Sequence, residues 1–499
     1  MANSKPRLEK LTLDKDLDKI THVEAATHFV SKSLVAPGIG LIFLILAMLF
    51  AAVFVGKGES SLIMIAAAAL GAYMAMNIGA NDVTNNVGPA VGSRAMTMTL
   101  ALVVAAIFET AGALIAGGDV VSTISKGIID PSLIPSADMF IWAMMAALLS
   151  SALWVNLATW IGAPVSTTHA VVGGVMGAGI AASGFGTINW QSMSAIAASW
   201  VISPFLGGII AALFLAFIKE FIIYREDKIA AAKKWVPVLI AIMTGAFTAY
   251  LSLKGLNHLI SISLAGAALI GLVAGGIGWA VSVPLVARQA RGLENRNQSL
   301  RKLFQIPLIF SAALLSFAHG ANDVANAIGP LSAVVHAAEA NEISANVNIP
   351  LWVMIIGAIG ISLGLLLFGP RLIRLVGEQI TKLNPMRAYC VALSAALTVI
   401  VASWLGLPVS STHIAVGAVF GVGFFREWYT KNSKRRAAYI QMKAGKPETV
   451  KQPSEEEIRR RYLVRRSHFM TIVAAWIITV PASALLAAVI YWILGSIAV

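Results

Sequence analysis

The chain of 499 residues has a single cysteine, Cys390, and only 12% charged residues. One thiol in an apolar run excludes an internal disulfide and any multi-thiolate metal site, and reads as a small core residue. A soluble protein of this length carries roughly twice that charged fraction. His-Glu-x-x-His is also missing, so no recognisable metal-dependent hydrolytic centre is present, and neither an enzyme nor a resident cofactor is expected. The chain does not open on an apolar stretch either. Residues 1–35 are polar and mixed in charge, from Lys5 and Arg7 to Asp18 and Lys19, which excludes a signal-peptide core and reads as a polar cytoplasmic extension.

What is there instead is apolar: 58% of residues are hydrophobic and the mean hydropathy is +0.79. Runs near the ~20 residues needed to cross a bilayer recur at 36–56, 61–78, 97–117, 138–160, 166–182, 194–218, 236–253, 259–286, 305–319, 350–370, 386–404, 409–425 and 470–497, the shorter ones being open to a re-entrant reading. The expected fold is an all-α polytopic membrane protein with the lipid bilayer as its partner. A net charge of +13 would suggest nucleic acid in a soluble chain. Here the basic residues sit in loops, where membrane orientation accounts for them and no nucleic-acid partner is needed.

Those loops define sides. Lys219, Arg225, Lys228, Lys233 and Lys234 fall in one loop; Arg288, Arg291, Arg296, Arg301 and Lys302 fall in another. Arg371, Arg374, Lys382 and Arg387 mark a third, and the hydrophilic insert 426–468 carries Lys434-Arg435-Arg436 and Arg459-Arg460-Arg461. An even number of segments separates each from the others and from the N-terminus, so all five basic regions, the N-terminus and 426–468 included, are expected in the cytoplasm. Stretches poor in Lys and Arg, 118–137 and 320–349, fall outside.

One string is written twice. Gly79-Ala80-Asn81-Asp82-Val83-Thr84-Asn85-Asn86-Val87-Gly88-Pro89 returns as Gly320-Ala321-Asn322-Asp323-Val324-Ala325-Asn326-Ala327-Ile328-Gly329-Pro330, 241 residues later. A second pair runs from Gly162 through Pro164, Ser166, Thr167, Thr168 and His169, and from Gly406 through Pro408, Ser410, Ser411, Thr412 and His413, 244 residues apart. Near-equal offsets mean a duplicated unit. Seven segments, an odd number, lie between the starts of the two copies, so the repeats are expected to have inverted topology, with broken or re-entrant helices meeting near the bilayer midplane. The expected parts are the extension 1–35, an extra transmembrane helix in 36–60, a first repeat 61–218, basic loops and two linking helices in 219–304, and a second repeat 305–499 that includes 426–468.

The residue types suggest chemistry. A carboxylate within a bilayer costs about 3 kcal/mol or more, so Asp82 and Asp323 are functional candidates. Flanked by Asn81, Asn85, Asn322 and Asn326, they suit a hard monovalent cation or a transferred proton. Helix-capping is the plainer alternative. Pro164 and Pro408 stop a helix, and the Ser and Thr residues after them start one, leaving N–H groups and hydroxyls at a positive helix end that suits an oxyanion. Ordinary interhelical packing is the alternative there. His169 and His413 are candidates for a proton or anion contact, or for a structural lock. Glu109, in an apolar run, is a candidate coupling acid, with Ile361 at the equivalent place in the second unit. His319 precedes the second string, where Ile78 stands at the matching place in the first. Small-residue spacing at Gly173, Gly174 and Gly177, and at Gly417 and Gly421, reads as close helix packing.

These duplicated strings resemble the signature of the inorganic phosphate transporter (Pit) family over residues 60–499. The resemblance implies a carrier of inorganic phosphate, alone or as a metal–phosphate complex, driven by Na⁺ or H⁺ symport across the cytoplasmic membrane. Sulfate or another oxyanion is the alternative cargo. It implies phosphate contacts from Asn85, Asn326, Ser166, Thr167, Thr168, Ser410, Ser411 and Thr412. Cation coupling falls to Asn81, Asp82, Asn322, Asp323 and Glu109, with Na⁺ at Asp82 and Asp323 and no other metal. A homodimer is compatible with the sequence.

Overall fold

The computed structural model describes residues 34–56, 58, 60–163, 165–255, 261–340, 349–379, 383–444 and 466–498. The expected extension therefore lies, up to residue 33, outside the described residues, as do Pro164 and residues 445–465 of the insert. Apolar runs in a bilayer must satisfy their backbone internally, and helices do so. Among the described residues, eleven helices are long and apolar enough to cross a membrane.

In chain order the helices are α1 (Leu34–Phe54), α2 (Ser61–Gly92), α3 (Met98–Ala116), α4 (Gly118–Lys126), α5 (Ala137–Ile161), α6 (Thr167–Ser183), α7 (Trp190–Ile218, extended by a π-turn Lys219–Ile223), α8 (Lys228–Lys254) and α9 (Leu264–Gln289). They continue as α10 (Asn297–Leu303), α11 (Gln305–Asp323), α12 (Ala325–Ala340), α13 (Leu351–Gln379), α14 (Pro385–Trp404), α15 (Ser411–Asn432), α16 (Lys434–Ala444) and α17 (Arg466–Ala498). Two expected segments, 166–182 and 409–425, correspond to α6 and α15, which are not among the eleven spans. At 17 residues α6 is short for a crossing. Each instead doubles back on the helix before it: α6 packs on α5, and α15 on α14. The first part of the insert, expected as a solvated loop, is helical through the end of α15 and α16.

The duplicated string is not where the helices break. Its first copy lies inside the unbroken α2, and its second is interrupted only at Val324, whose backbone stays helical at φ −56° and ψ −32°. Its glycines serve close approach instead. A Cβ on Gly79 would overlap the carbonyl oxygen of Ile361 on α13, and one on Gly320 would overlap that of Glu109 on α3. The prolines act locally: without an N–H, Pro89 and Pro330 leave the carbonyls of Asn85 and Asn326, four residues back, without a helical donor. The true turns are the hairpin tips, where Gly162 (φ 83°) and Gly406 (φ 69°) adopt left-handed backbone.

The packing survives exchange of the two units. α2 lies on α13 as α11 lies on α3, α17 on α6 as α7 on α15, and α17 on α5 as α7 on α14. Gly177 meets the Ala484 backbone and Gly421 that of Gly208, which is the close packing expected of those small-residue runs. Each apolar core draws on both units. One joins Met74 of α2, α5, α6, α12 and Ala487 of α17; the other joins Val87 of α2, α7, α11, α14 and α15. The polar strings lie along the seam.

The loops also group by end. Lys228 N donates to Asn295 Oδ1 at 2.9 Å, and Arg435 pairs with Glu220, so 219–228, 287–296 and α16 share one end. Elsewhere Lys254 pairs with Asp119, joining the far end of α8 to the 118–137 stretch.

Candidate functional site

Both hairpin tips reach the duplicated string. Ser166 caps α6 by accepting from His169 N at 3.1 Å, and Ser410 caps α15 by accepting from His413 N at 3.2 Å. The next hydroxyls turn to the carboxylates: Thr167 Oγ1 donates to Asp82 Oδ2 at 2.8 Å and Ser411 Oγ to Asp323 Oδ2 at 2.9 Å. The following pair crosses between units. Asn85 Nδ2 donates to Thr412 Oγ1 at 2.8 Å, and Asn326 Nδ2 donates to Thr168 Oγ1 at 3.1 Å. Asn81 and Asn322 anchor the ends of α5 and α14, donating to Thr159 Oγ1 at 2.9 Å and Ser403 Oγ at 3.0 Å.

The equivalence stops at two hydroxyls. Thr412 Oγ1 donates to Asp82 Oδ1 at 2.9 Å, whereas Thr168 Oγ1 donates to the Val409 carbonyl at 3.0 Å. Both oxygens of Asp82 therefore accept hydrogen bonds, while Asp323 Oδ1 and Asn326 Oδ1 are buried and accept none. Two such oxygens at adjacent helix turns are hard donors of the kind Na⁺ takes, so the residues present fit a monovalent cation at the second string.

His319 sits among three carboxylates. Its Nε2 lies 2.8 Å from Asp323 Oδ2 and 3.7 Å from Asp82 Oδ2, and its Nδ1 lies 3.4 Å from Glu109 Oε2. Glu109 also accepts from Asn86 Nδ2 at 2.7 Å. All four ionisable side chains are at most 1% exposed, and no described Lys or Arg pairs with any of them. Asp82, His319 and Asp323 together present three ligand atoms within 4.8 Å of one another.

The sequence points to Glu109 as a coupling acid, ranks His319 below it, and does not single out Asn86, Thr159 or Ser403 as site residues. A signal existed for His319, since it is four residues before Asp323 on one helix and shares its face; the absence of a counterpart in the first unit masked it. His169 and His413 are brought together, with ring centroids 4.4 Å apart and Trp200 and Trp476 packed at a tilt outside them at 3.9 and 3.7 Å. They cross-link the hairpin tips, and the imidazole that touches the carboxylates is His319.

A buried polar centre at the meeting of two helical hairpins, in a bundle of membrane-spanning helices, defines a membrane carrier. Comparison with known proteins narrows it. The sequence profile of the phosphate transporter family matches residues 78–487. A "Putative phosphate permease" of Helicobacter pylori strain J99 is 46% identical, over 97% of this chain and 99% of that protein. A protein of the same description from Pyrococcus abyssi is 34% identical over 85% of this chain and 97% of its own length. A solved structure, "The sodium-dependent phosphate transporter", superposes with a TM-score of 0.77 at 34% identity, over 87% of this chain and 99% of that one. The chain belongs to the phosphate transporter family, and is a multi-pass transporter rather than an enzyme.

Proposed function

We propose that the chain imports inorganic phosphate across the cytoplasmic membrane by Na⁺ symport. The observation that carries this reading is the set of three buried carboxylates beside the hairpin tips with, among the described residues, a single imidazole as counter-charge. Two unit charges 4 Å apart interact by about 4 kcal/mol at an effective dielectric of 20. A phosphate anion brought to the tips is repelled by Asp82, Asp323 and Glu109 unless cations arrive with it, and that requirement couples the two fluxes.

In this reading Ser166, Thr167, Thr168, Ser410, Ser411 and Thr412, with Asn85 and Asn326, hold phosphate between the N-termini of α6 and α15. Asp323 and Asn326 take the cation, with Asn81, Asp82, Asn322 and Glu109 completing the charged centre. The repeats 61–218 and 305–499 are inverted, joined by 219–304, and the hairpins α5–α6 and α14–α15 enter from opposite faces. Exchange-symmetric packing supports this arrangement. So does the parity of crossings, which is unchanged whether a hairpin crosses twice or re-enters. The end holding 219–228, 287–296 and α16 is cytoplasmic, since it gathers most of the basic residues. Alternating access then switches the seam between the two shared cores.

The test is phosphate uptake into proteoliposomes with Na⁺ and pH gradients imposed separately. An inward Na⁺ gradient drives uptake and a pH gradient alone does not. Uptake driven by pH alone would contradict Na⁺ as the coupled ion, and full suppression by excess sulfate would contradict phosphate as the preferred cargo.

A further inference from the structure

Among the described residues, a group of cations at the basic end of the bundle stands without matching acids. Lys219, on the π-turn that ends α7, is only 6% exposed. Its ammonium lies 4.2 Å from the Tyr429 ring centroid and 5.4 Å from that of Phe425. Arg387 at the start of α14, Arg426 near the end of α15 and Arg436 on α16 all repel it, and Arg387 Nη1 is buried with no hydrogen-bond acceptor. None of these four cations forms an ion pair among the described residues. The carboxylates at hand are Glu220, held by Arg435 and by the Tyr429 hydroxyl, and Glu427, which attracts Arg426. Aromatic faces offset part of the cost of desolvating Lys219, but they do not neutralise it.

A row of tyrosines continues from this group. Tyr224 lies between Tyr429 and Tyr439, at 5.7 and 5.6 Å between centroids, and Lys228 Nζ closes the row by donating to Tyr439 Oη at 2.8 Å. Beside it opens a cavity of about 720 Å³ lined by Tyr224, Tyr439, Trp235, Arg225, Lys234 and Arg435. Exposed Phe424, Trp428 and Met442 flank the region.

We propose that Lys219, Arg387, Arg426 and Arg436 form a second anion site, apart from the carboxylate centre, that binds a phosphate group: inorganic phosphate or the headgroup of an anionic phospholipid. Arg387 Nε and Arg436 Nη1 are engaged, donating to Asn384 Oδ1 at 3.2 Å and to the Thr430 carbonyl at 3.0 Å, and the remaining guanidinium N–H groups suit the oxygens of a phosphate better than the two oxygens of a carboxylate. Basic pockets between helix ends at a membrane surface take phosphate headgroups by the same chemistry. The site stands whichever anion the central site carries.

The test uses the full-length chain and its thermal unfolding. One arm titrates inorganic phosphate in neutral detergent. The other compares nanodiscs of phosphatidylcholine with nanodiscs containing cardiolipin. Arg426→Gln/Arg436→Gln is measured beside Arg291→Gln, an exposed loop position, and Lys219→Gln serves should the double variant not fold. Phosphate bound at the central site shifts every variant alike and cancels.

The expected result is a stabilising shift of several degrees, in at least one arm, for the wild type and Arg291→Gln, reduced by half or more in the site variant. A shift in the detergent arm identifies soluble phosphate; a shift in the cardiolipin arm identifies lipid. No shift in either arm, or equal shifts in site variant and control, overturns the proposal.

Discussion

The two copies of the string share their sequence pattern but not their hydrogen bonding. Around Asp82, Thr167 and Thr412 from both hairpins close on the two carboxylate oxygens. Around Asp323, one oxygen faces Ser411 and His319 while the other accepts nothing. Duplication set the frame of the site, and a few unpaired substitutions gave it polarity: His319 against Ile78, Glu109 against Ile361, Asn86 against Ala327. At the carboxylate itself, the first copy is closed by both hairpins and the second leaves one oxygen unmet.

The frame should be equal in the two halves, and the largest effects test that. Gly79→Leu and Gly320→Leu both drive a side chain into the backbone of the facing helix. Overpacking of this kind costs about 1–3 kcal/mol, or more where backbone must move, against total stabilities of about 5–15 kcal/mol. Both variants should lose most folded protein, read by size-exclusion yield. A folded Gly320→Leu beside an unfolded Gly79→Leu would break the equivalence.

The polarity should be unequal. His319→Gln keeps hydrogen-bonding capacity but removes the only positive charge that the described residues offer to the three carboxylates, so cation-driven uptake should fall at least tenfold with the protein still folded. Ile78→Val, at the matching place, should leave uptake within twofold. Comparable losses in the two would show that the imidazole has no special part.

The smallest effects return to the frame. Ser166→Ala and Ser410→Ala each remove one helix cap, costing about 1 kcal/mol apiece. Thermal unfolding should show near-equal drops, and a marked inequality would mean that one hairpin tip is held by something other than its cap.

Much of this was legible in the chain. Apolar runs located nearly every helix, because a bilayer forces helical backbone on any sequence that enters it. The paired offsets brought together Asp82, Asp323 and the Ser/Thr residues that now bond to them. The expected helix breaks do not fall at the string: Gly79 and Gly320 answer to a neighbouring helix, and a contact of that kind leaves no local mark. The return legs α6 and α15 stay open between a span and a re-entrant segment in the sequence, because apolar composition does not distinguish a helix that crosses from one that turns back. His319 ranks below Glu109 in the sequence because the first unit has Ile78 in its place, yet the charge asymmetry of the site lies in both of these unmatched positions.

The central claim, that Asp82 and Asp323 form one site with its cation pole at Asp323, is tested most directly by the Na⁺ dependence of phosphate uptake in Asp82→Asn and Asp323→Asn proteoliposomes. Asp323→Asn should abolish Na⁺-driven uptake, and Asp82→Asn should retain a saturable Na⁺ dependence with weaker phosphate affinity. An unchanged Na⁺ dependence in Asp323→Asn, or its loss in Asp82→Asn alone, would contradict the assignment.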